Sequence, residues 1–483
     1  MVSRRALKQL TDALENAGHA SEWREAAVEY DRVTGAADWQ ADDDSPFYDA
    51  RALRSDILTL RALRDRGDAE ALASALTESL YRHQGELTEP ALYQVALCGT
   101  KQLVERYLSA CESAMRWLAE TDHPRVPVQA KLQRFQVAWK VYGRSALMLS
   151  GGATLGFHHL GVVKALFEHG LLPDILSGAS TGAMIAAGIG ARNDAEVADL
   201  YANTDQMRLD GLSSVGLRKL RANGGLLDPS RLAAVLRHNI GDRTFAEAYA
   251  HSGRTLNISV SATRTRQKPR LLTHLTAPHV LVASAALASS ALPGLFPPVE
   301  LEMRERDGRI GPYIDGERWT DGSLDGDLPK LRLARLHNVN HFIVSQTNPH
   351  VLPFVAHHGR RGALPIVGGI VSAAARTQGA YAADLLRRAT QQTPGALQLV
   401  ASQAHNLVSQ DYRGHIDIHP RFTFSLYRKV VSNPDRADLQ RFILEGERSV
   451  WPLLARIRND TRIGRSFQEC LGILQARHQS VGT

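Results

Sequence analysis

Three clusters in this chain carry residue types and spacings that could do chemistry. Gly178-Ala179-Ser180-Thr181-Gly182 fits G-x-S-x-G. A short apolar run, Ile175–Ser177, precedes it and a small-residue stretch, Ala183–Gly190, follows. That is the strand–turn–helix setting of a nucleophile elbow. Such a turn forces the serine into a strained backbone and tolerates only tiny neighbours, a demand that Gly178 and Gly182 meet. It also sets Ser180 at the amino end of a helix, whose N–H groups favour negative charge on an attacked carbonyl. Upstream, Gly151-Gly152-Ala153-Thr154-Leu155-Gly156 follows a second apolar run and opens toward a helix. Its glycines let backbone N–H groups approach a ligand, as in an oxyanion hole. A phosphate loop is the rival reading, but Phe157 follows Gly156, so G-x-x-x-x-G-K-[ST] is absent and the G-x-G-x-x-G spacing is unmet. Far downstream stands Trp319-Thr320-Asp321-Gly322-Ser323, then Asp325 and Asp327. Taken alone, its Asp-Gly pair reads as a turn.

These clusters need elements to hold them. Ser145–Ser150, Asp174–Ser177, Leu256–Ala262, Arg270–His274 and His341–Gln346 read as strands. Helical spacing fills Gly161–His169, Thr181–Ala191, Pro229–Asn239 and His279–Ala291 between them. Asp228-Pro229 is a helix start, with a capping carboxylate and proline in the first turn. Alternating strands and helices predict an α/β fold, a mostly parallel sheet covered on both faces. Before it, Tyr48–Arg66, Glu70–His83 and Pro90–Glu120 carry apolar residues at helical spacing, Val95 and Met115 among them. The domains expected are a helical region over 1–135, a catalytic domain over 143–350 and a helical C-terminal region over 351–483 that packs on the catalytic domain. Within the last, Gly362–Ala375 is apolar and precedes the basic Arg376–Arg388; it is too short to span a bilayer and reads as a buried or interfacial helix.

Composition narrows the function. The chain has 483 residues, 44% apolar and 22% charged, which excludes a wholly disordered chain, a collagen and a coiled-coil rod. Its formal net charge of +7 suits an anionic membrane surface. No clustered basic run or zinc spacing supports a nucleic-acid partner. Cys98, Cys111 and Cys470 are too few for a disulfide framework, so a reducing compartment is expected. Met1–Glu15 lacks the apolar segment of a signal peptide. With no run of about 18 apolar residues, the expectation is a cytoplasmic protein, peripheral at most on a lipid surface.

In this order, the glycine loop, the elbow and the Asp-Gly motif resemble the patatin-like phospholipase family. Four stretches resemble one branch of it, the fungal and plant storage-lipid lipases: SGGATLGFHHLGVVKAL from Ser150, TAPHVLVASAALASSALPGLFPP from Thr276, WTDGSLDGDLP from Trp319 and NVNHFIVSQTNPHV from Asn338. The resemblance covers about Tyr48 to Pro353 and implies a three-layer patatin-like fold. It implies a Ser180–Asp321 dyad without histidine, oxyanion donors at Gly151, Gly152 and Ala153, and an acyl-enzyme route to ester hydrolysis. It implies a glycerolipid substrate, triacylglycerol before phospholipid or lysophospholipid, and no cofactor or metal. A transacylase shares the acyl-enzyme, and a non-catalytic lipid-binding protein is the reading from another class.

Two positions depart from the family pattern. Leu155 stands where a cation is frequent, and leucine suits an uncharged ester. Ser323 ends the aspartate motif in place of glycine or alanine. His158, His159, His274 and His341 are the candidates for a triad, none in a recognisable triad context. His169 to Asp174 matches H-x4-D, an acyltransferase pattern, but reads as a helix-to-strand link. Asp315, Asp325 and Asp327 read as solvated turn residues rather than a cation site. The helix His279–Ala291 running into Pro293–Pro298 reads as a core helix and a rigid loop, and the resemblance implies that it borders the acyl pocket.

Overall fold

A computed structural model of the chain describes residues 4–215, 225–263, 269–322, 327–348, 413–421 and 432–481. Two compact units divide it. One comprises Met1–Ser145, His337–His341 and Val450–Thr483; the other Ala146–Leu336 and Phe342–Ser449.

The helical unit begins with α1 (Arg4–Asn16), α2 (Ala20–Thr34), α3 (Ala36–Ala41), α4 (Ala50–Asp65), α5 (Ala69–Arg82), α6 (Gln102–Glu120) and α7 (Val128–Tyr142). Leu53, Ile57, Leu60 and Leu63 recur on one face of α4 and are buried. Asp49 and Asp68 cap α4 and α5 by accepting backbone amides of the first turn. The helix expected over Pro90–Glu120 is interrupted: a 3-10 turn, Pro90–Tyr93, precedes a separate α6. Gly99 has φ +99° in the left-handed region, and the Asp31 carboxylate takes the amides of Leu97 and Cys98. Val95, expected on the apolar face, lies in this link and is 42% exposed.

The other unit is built on β1 (Arg144–Leu149), α8 (His158–Glu168), β2 (Ile175–Gly178), α9 (Thr181–Gly190), α10 (Asp194–Ala202), α11 (Pro229–Ile240), α12 (Phe245–Ser252), β3 (Thr255–Ala262), β4 (Arg270–Leu272) and α13 (Val282–Ser289). It continues through β5 (Glu302–Arg304), β6 (Ile310–Pro312), β7 (Trp319–Asp321), α14 (Lys330–His337), β8 (Val339–Ser345), β9 (Ile416–Ile418) and α15 (Arg436–Val450). The final helix, α16 (Leu454–Val481), belongs to the helical unit.

The main sheet has seven strands in the order β4-β3-β2-β1-β8-β9, with β7 also pairing with β3. β1 with β2, β2 with β3 and β8 with β9 are parallel; β4 and β7 run antiparallel to β3. The fold is therefore α/β with a mostly parallel sheet. Ala146–Leu149 and all of β2 are buried, as continuous apolar runs in a parallel sheet require. The five strands read from sequence are present; β7, β9 and the β5–β6 pair were not expected. Asp228 caps α11 as the sequence predicts, accepting the Ser230 amide. Ser323, Asp325 and Gly362–Arg388 lie outside the described residues.

Candidate active site

β2 delivers the nucleophile candidate. It ends at Gly178, and Ser180 stands immediately before α9 with φ 53° and ψ −127°. A non-glycine residue there carries strain on the order of 1–3 kcal/mol, which the surroundings must impose. They do so by crowding. A Cβ on Gly178 would collide with the Gly182 carbonyl, and one on Gly182 with the carbonyl of Leu149. The Ala179 amide donates to the same Leu149 oxygen (3.2 Å), tying the turn to β1.

A single stretch at the end of α13, Ser289–Ala291, binds both Ser180 and Asp321. The Ser180 amide donates to Ser289 Oγ (3.0 Å) and Ser290 Oγ donates to the Ser180 carbonyl (3.3 Å). The next residue, Ala291, accepts the Asp321 amide (3.0 Å). Strand register agrees. Gly178 of β2 pairs with Ile258 of β3, and Asp321 of β7 pairs with Val260, two residues further on. Ser180 is also two residues beyond Gly178. The sheet thus brings Ser180 and Asp321 to one level at one edge. Asp321 is only 1% exposed, so its carboxylate sits out of water. Gly322 is required beside it, because a Cβ there would strike the backbone of Ser259. The motif that reads as a turn in sequence is therefore the end of a strand.

The glycine loop is fixed from several sides. Gly151 N–H donates to Asp327 Oδ1 (2.9 Å), and the Gly151 carbonyl accepts from Ser150 Oγ (2.8 Å) and Thr347 Oγ1 (3.1 Å). Thr347 N–H in turn donates to Ser150 Oγ (2.8 Å). Thr181, at the start of α9, donates its hydroxyl to the Ala153 carbonyl (2.8 Å), joining loop to elbow. Ala153 has φ 48°, a second left-handed non-glycine residue. Of the three expected oxyanion donors, Gly151 gives its amide to Asp327. Gly152 and Ala153 retain theirs, with no acceptor among the described residues.

The histidines take other places. His159 Nε2 lies 2.9 Å from the Ser150 carbonyl and Nδ1 2.7 Å from Ser345 Oγ. This network assigns the proton to Nε2. Burial pushes the His159 pKa down to about 4, so it supports the loop as a neutral ring. His158 is buried beside Ser449 (3.1 Å), its pKa lowered first by burial. His274 stacks on Tyr249 at 4.0 Å, and His341 lies in the helical unit near Ser145. His169 bonds the Ala165 carbonyl (2.8 Å) and Gly170 turns with φ 64°, which is the helix-to-strand link expected of that segment.

A cleft opens on Ser180. Its walls include Met184 and Ile185 of α9, Leu232, Val235 and Leu236 of α11, and Leu292, Leu295 and Phe296 after α13. Ala153, Thr181 and Ser290 stand with Ser180; among the described residues no carboxylate lines it, and Arg192 and Arg208 are its charged groups. Ser432, Asn433 and Pro434 form part of the wall. Asn433 exchanges hydrogen bonds with both backbone groups of Leu212 (2.8 Å each), and Ser432 with Thr154. The segment after α13 thus borders this cleft. Leu155 does not: it is buried against Phe442 and Phe157. The case for an uncharged ester passes from Leu155 to the apolar wall. Asp327 was also misplaced by sequence. It is 1% exposed, where a solvated turn residue was expected, and its signal lay only in its distance from the Asp-Gly pair.

A strained serine before α9, a buried aspartate and a clamped glycine loop thus meet on one α/β sheet. The Patatin-like phospholipase model matches residues 147–329, and a domain of unknown function, DUF3336, matches residues 1–139. The chain is 32% identical over 470 residues to Triacylglycerol lipase ptl3 of Schizosaccharomyces pombe, covering 93% of this chain and 94% of that protein. It is 33% identical over 472 residues to Triacylglycerol lipase SDP1L of Arabidopsis thaliana, covering 94% of this chain and 57% of that one. Triacylglycerol lipase 4 of Saccharomyces cerevisiae is 31% identical over 466 residues, covering 91% and 50%. The chain thus spans about half the length of several relatives and nearly all of one. The crystal structure of VipD from Legionella pneumophila overlays with a TM-score of 0.29 at 13% identity, covering 62% of this chain and 67% of that one, too slight a likeness to argue from. This chain belongs to the patatin-like phospholipase family.

Proposed function

We propose that the protein is a lipid acyl hydrolase that cleaves long-chain glycerol esters, triacylglycerol first, through an acyl-enzyme on Ser180. The observation that carries this is the strained Ser180 at the floor of an apolar cleft, bound to the same three-residue stretch as buried Asp321. The relatives' printed activity, triacylglycerol lipase, agrees with it.

The steps follow from the groups present. Ser180 Oγ attacks the ester carbonyl carbon while its proton passes to the Asp321 carboxylate. The carbonyl π pair moves onto oxygen, where the amides of Gly152 and Ala153 receive the charge. Collapse breaks the bond to the glycerol oxygen, which takes the proton from Asp321. Water then attacks the acyl-enzyme and gives its proton to Asp321; collapse frees the fatty acid, and the departing Ser180 Oγ takes that proton back, restoring both groups. Phospholipid and lysophospholipid hydrolysis would use the same steps; the largely aliphatic wall and the relatives' printed names put the neutral ester first, although Arg192 and Arg208 also line the cleft. No helix among the described residues is long and apolar enough to cross a membrane. A water-insoluble glycerol ester would be met at a lipid surface.

The test is fatty-acid release from emulsified triolein and from phosphatidylcholine vesicles, with Ser180→Ala as the blank. Release from triolein should dominate, and Ser180→Ala and Asp321→Asn should each remove about 10³-fold or more of it with unchanged thermal unfolding. Release that persists in Ser180→Ala would overturn the reading. A preference for phospholipid would overturn the substrate ranking alone.

A further inference from the structure

Asp327 is a buried carboxylate with both oxygens engaged around the glycine loop. Oδ1 accepts the Gly151 amide (2.9 Å) and Oδ2 accepts Asn348 Nδ2 (2.6 Å). The Gly151 carbonyl is held from the other side by Ser150 and Thr347. The two peptide planes that flank Gly151 are therefore both held, the first at its N–H and the second at its C=O. A Cβ on Gly152 would strike Thr347, so the loop has no room to shift. Rotation of the Gly151 unit would swing the amides of Gly152 and Ala153 away from the position of a reacting oxygen. A carboxylate is a costly choice for this anchor, because burial penalises its charge. A neutral acceptor would fix the loop as well, so the charge itself invites a role.

We propose that Asp327 is a positioning residue of the reaction: it clamps Gly151 so that Gly152 and Ala153 serve the oxyanion, and its negative charge strengthens the hold of Asp321 on a proton. This rests on the reading of Ser180 and Asp321 as the working pair. The electrostatics support it. Burial raises Asp327 to about 7; the Gly151 and Asn348 bonds oppose the rise and the Asp321 charge adds to it. Interaction between two charges is mutual, so ionised Asp327 acts on Asp321 in the same sense. A free aspartate, with a pKa of about 4, is a poor base for a hydroxyl. A neighbouring negative charge moves it in the useful direction. Asp321 is the charged group that acts on Asp327 among the described residues. His159, behind Ser150, is neutral. As pH rises through about 7 Asp327 loses its proton, Asp321 becomes the stronger base and turnover rises.

The experiment follows hydrolysis of a soluble p-nitrophenyl ester by the full chain from pH 5.5 to 9 (an assay range of about this width brackets both protonation states). Wild type should show an acid limb with a midpoint near 7. Asp327→Asn keeps an acceptor for Gly151, and the Asn348 amide can turn to present its oxygen. It should fold, label with a fluorophosphonate, keep KM within about twofold, lose about tenfold in kcat at high pH and lose the acid limb. Asp327→Ala also frees the loop and should lose about 10²-fold in kcat at every pH. Asp327→Asn with the wild-type acid limb and kcat would overturn the role of the charge. Full activity in Asp327→Ala would overturn the clamp. If Asp327→Ala fails to fold, the pH profile of Asp327→Asn still decides. Failure of the working pair is separate: it appears as activity in Ser180→Ala.

Discussion

At the scale of single residues, the site is a set of places where a side chain is forbidden. Gly178, Gly182 and Gly322 each face a backbone atom that a Cβ would overlap, and backbone cannot yield as a flexible side chain can. That is why Ser180 holds φ 53° although it is not glycine. Gly182→Ala should therefore cost about 2–4 kcal/mol of stability, by pushing α9 off the Leu149 carbonyl. It should abolish fluorophosphonate labelling of Ser180 before it abolishes folding. The check is labelling and thermal unfolding side by side; an alanine variant that labels at the wild-type rate would show that the elbow is not crowded. The spacing of the glycines and of Ser180 was legible in sequence, because local backbone strain restricts residue types locally. Asp327 and Leu155 were not legible. Which way a loop side chain turns depends on Asn348 and Phe442, remote partners that no local pattern names.

At the scale of elements, strands long enough to show an apolar run were readable and the three-residue ones were not. β7 is Trp-Thr-Asp beside an Asp-Gly pair; only pairing with β3 makes it a strand. The broken helix before α6 has the same origin, because the apolar spacing continues through a link that Asp31 holds irregular. Helix contacts also decide what a glycine means. Gly161 of α8 and Gly446 of α15 meet at backbone distance, and a Cβ on Gly446 would collide with the His158 carbonyl and the Gly161 Cα. Alanine normally gains about 1 kcal/mol over glycine inside a helix. Here Gly446→Ala should lose about 2 kcal/mol by prising the helices apart. Gly472→Ala, in α16 with open space at its Cβ, should show the ordinary gain. Thermal unfolding of the pair tests the contrast, and equal shifts would refute it. On the proposed function, α9 would limit chain length, because Met184 lies one turn beyond Ser180 and lines the cleft. Met184→Trp should leave butyrate ester turnover within about threefold while lowering oleate ester turnover at least about tenfold. Equal losses on both esters would remove Met184 from the acyl path.

At the scale of the whole molecule, the helical unit is assembled from distant parts of the chain. α16 packs on α6 and α7, although the sequence reading grouped it with a C-terminal region on the catalytic domain. Its buried Ile463, Phe467, Cys470, Leu471 and Leu474 join Leu103, Tyr107, Leu118 and Phe135 in one core. Phe467 meets Phe135 edge-on at 5.8 Å and Tyr142 at 5.3 Å. Across the polar side, Arg462 pairs with Glu105 (3.3 Å) and Glu112 (2.5 Å). These partly exposed pairs set register more than stability. Helical spacing in the terminal segment was visible in sequence, but an apolar stripe does not say which stripe it covers. The packing makes the prediction. Phe467→Ala and Leu474→Ala should each cost about 3–4 kcal/mol, the transfer loss plus the cavity left behind. Arg462→Ala should cost about 1 kcal/mol or less. The measurement is urea unfolding followed by the fluorescence of Trp117 and Trp139, both packed against this core. Fluorophosphonate labelling of Ser180, read at a urea concentration below the transition, reports the other unit. If the α16 face is a working core, both alanine variants shift the tryptophan transition to lower urea while labelling in dilute buffer persists. A transition unchanged in Phe467→Ala would mean that α16 does not cover α6 and α7 in solution, and that the helical unit closes its core without the end of the chain.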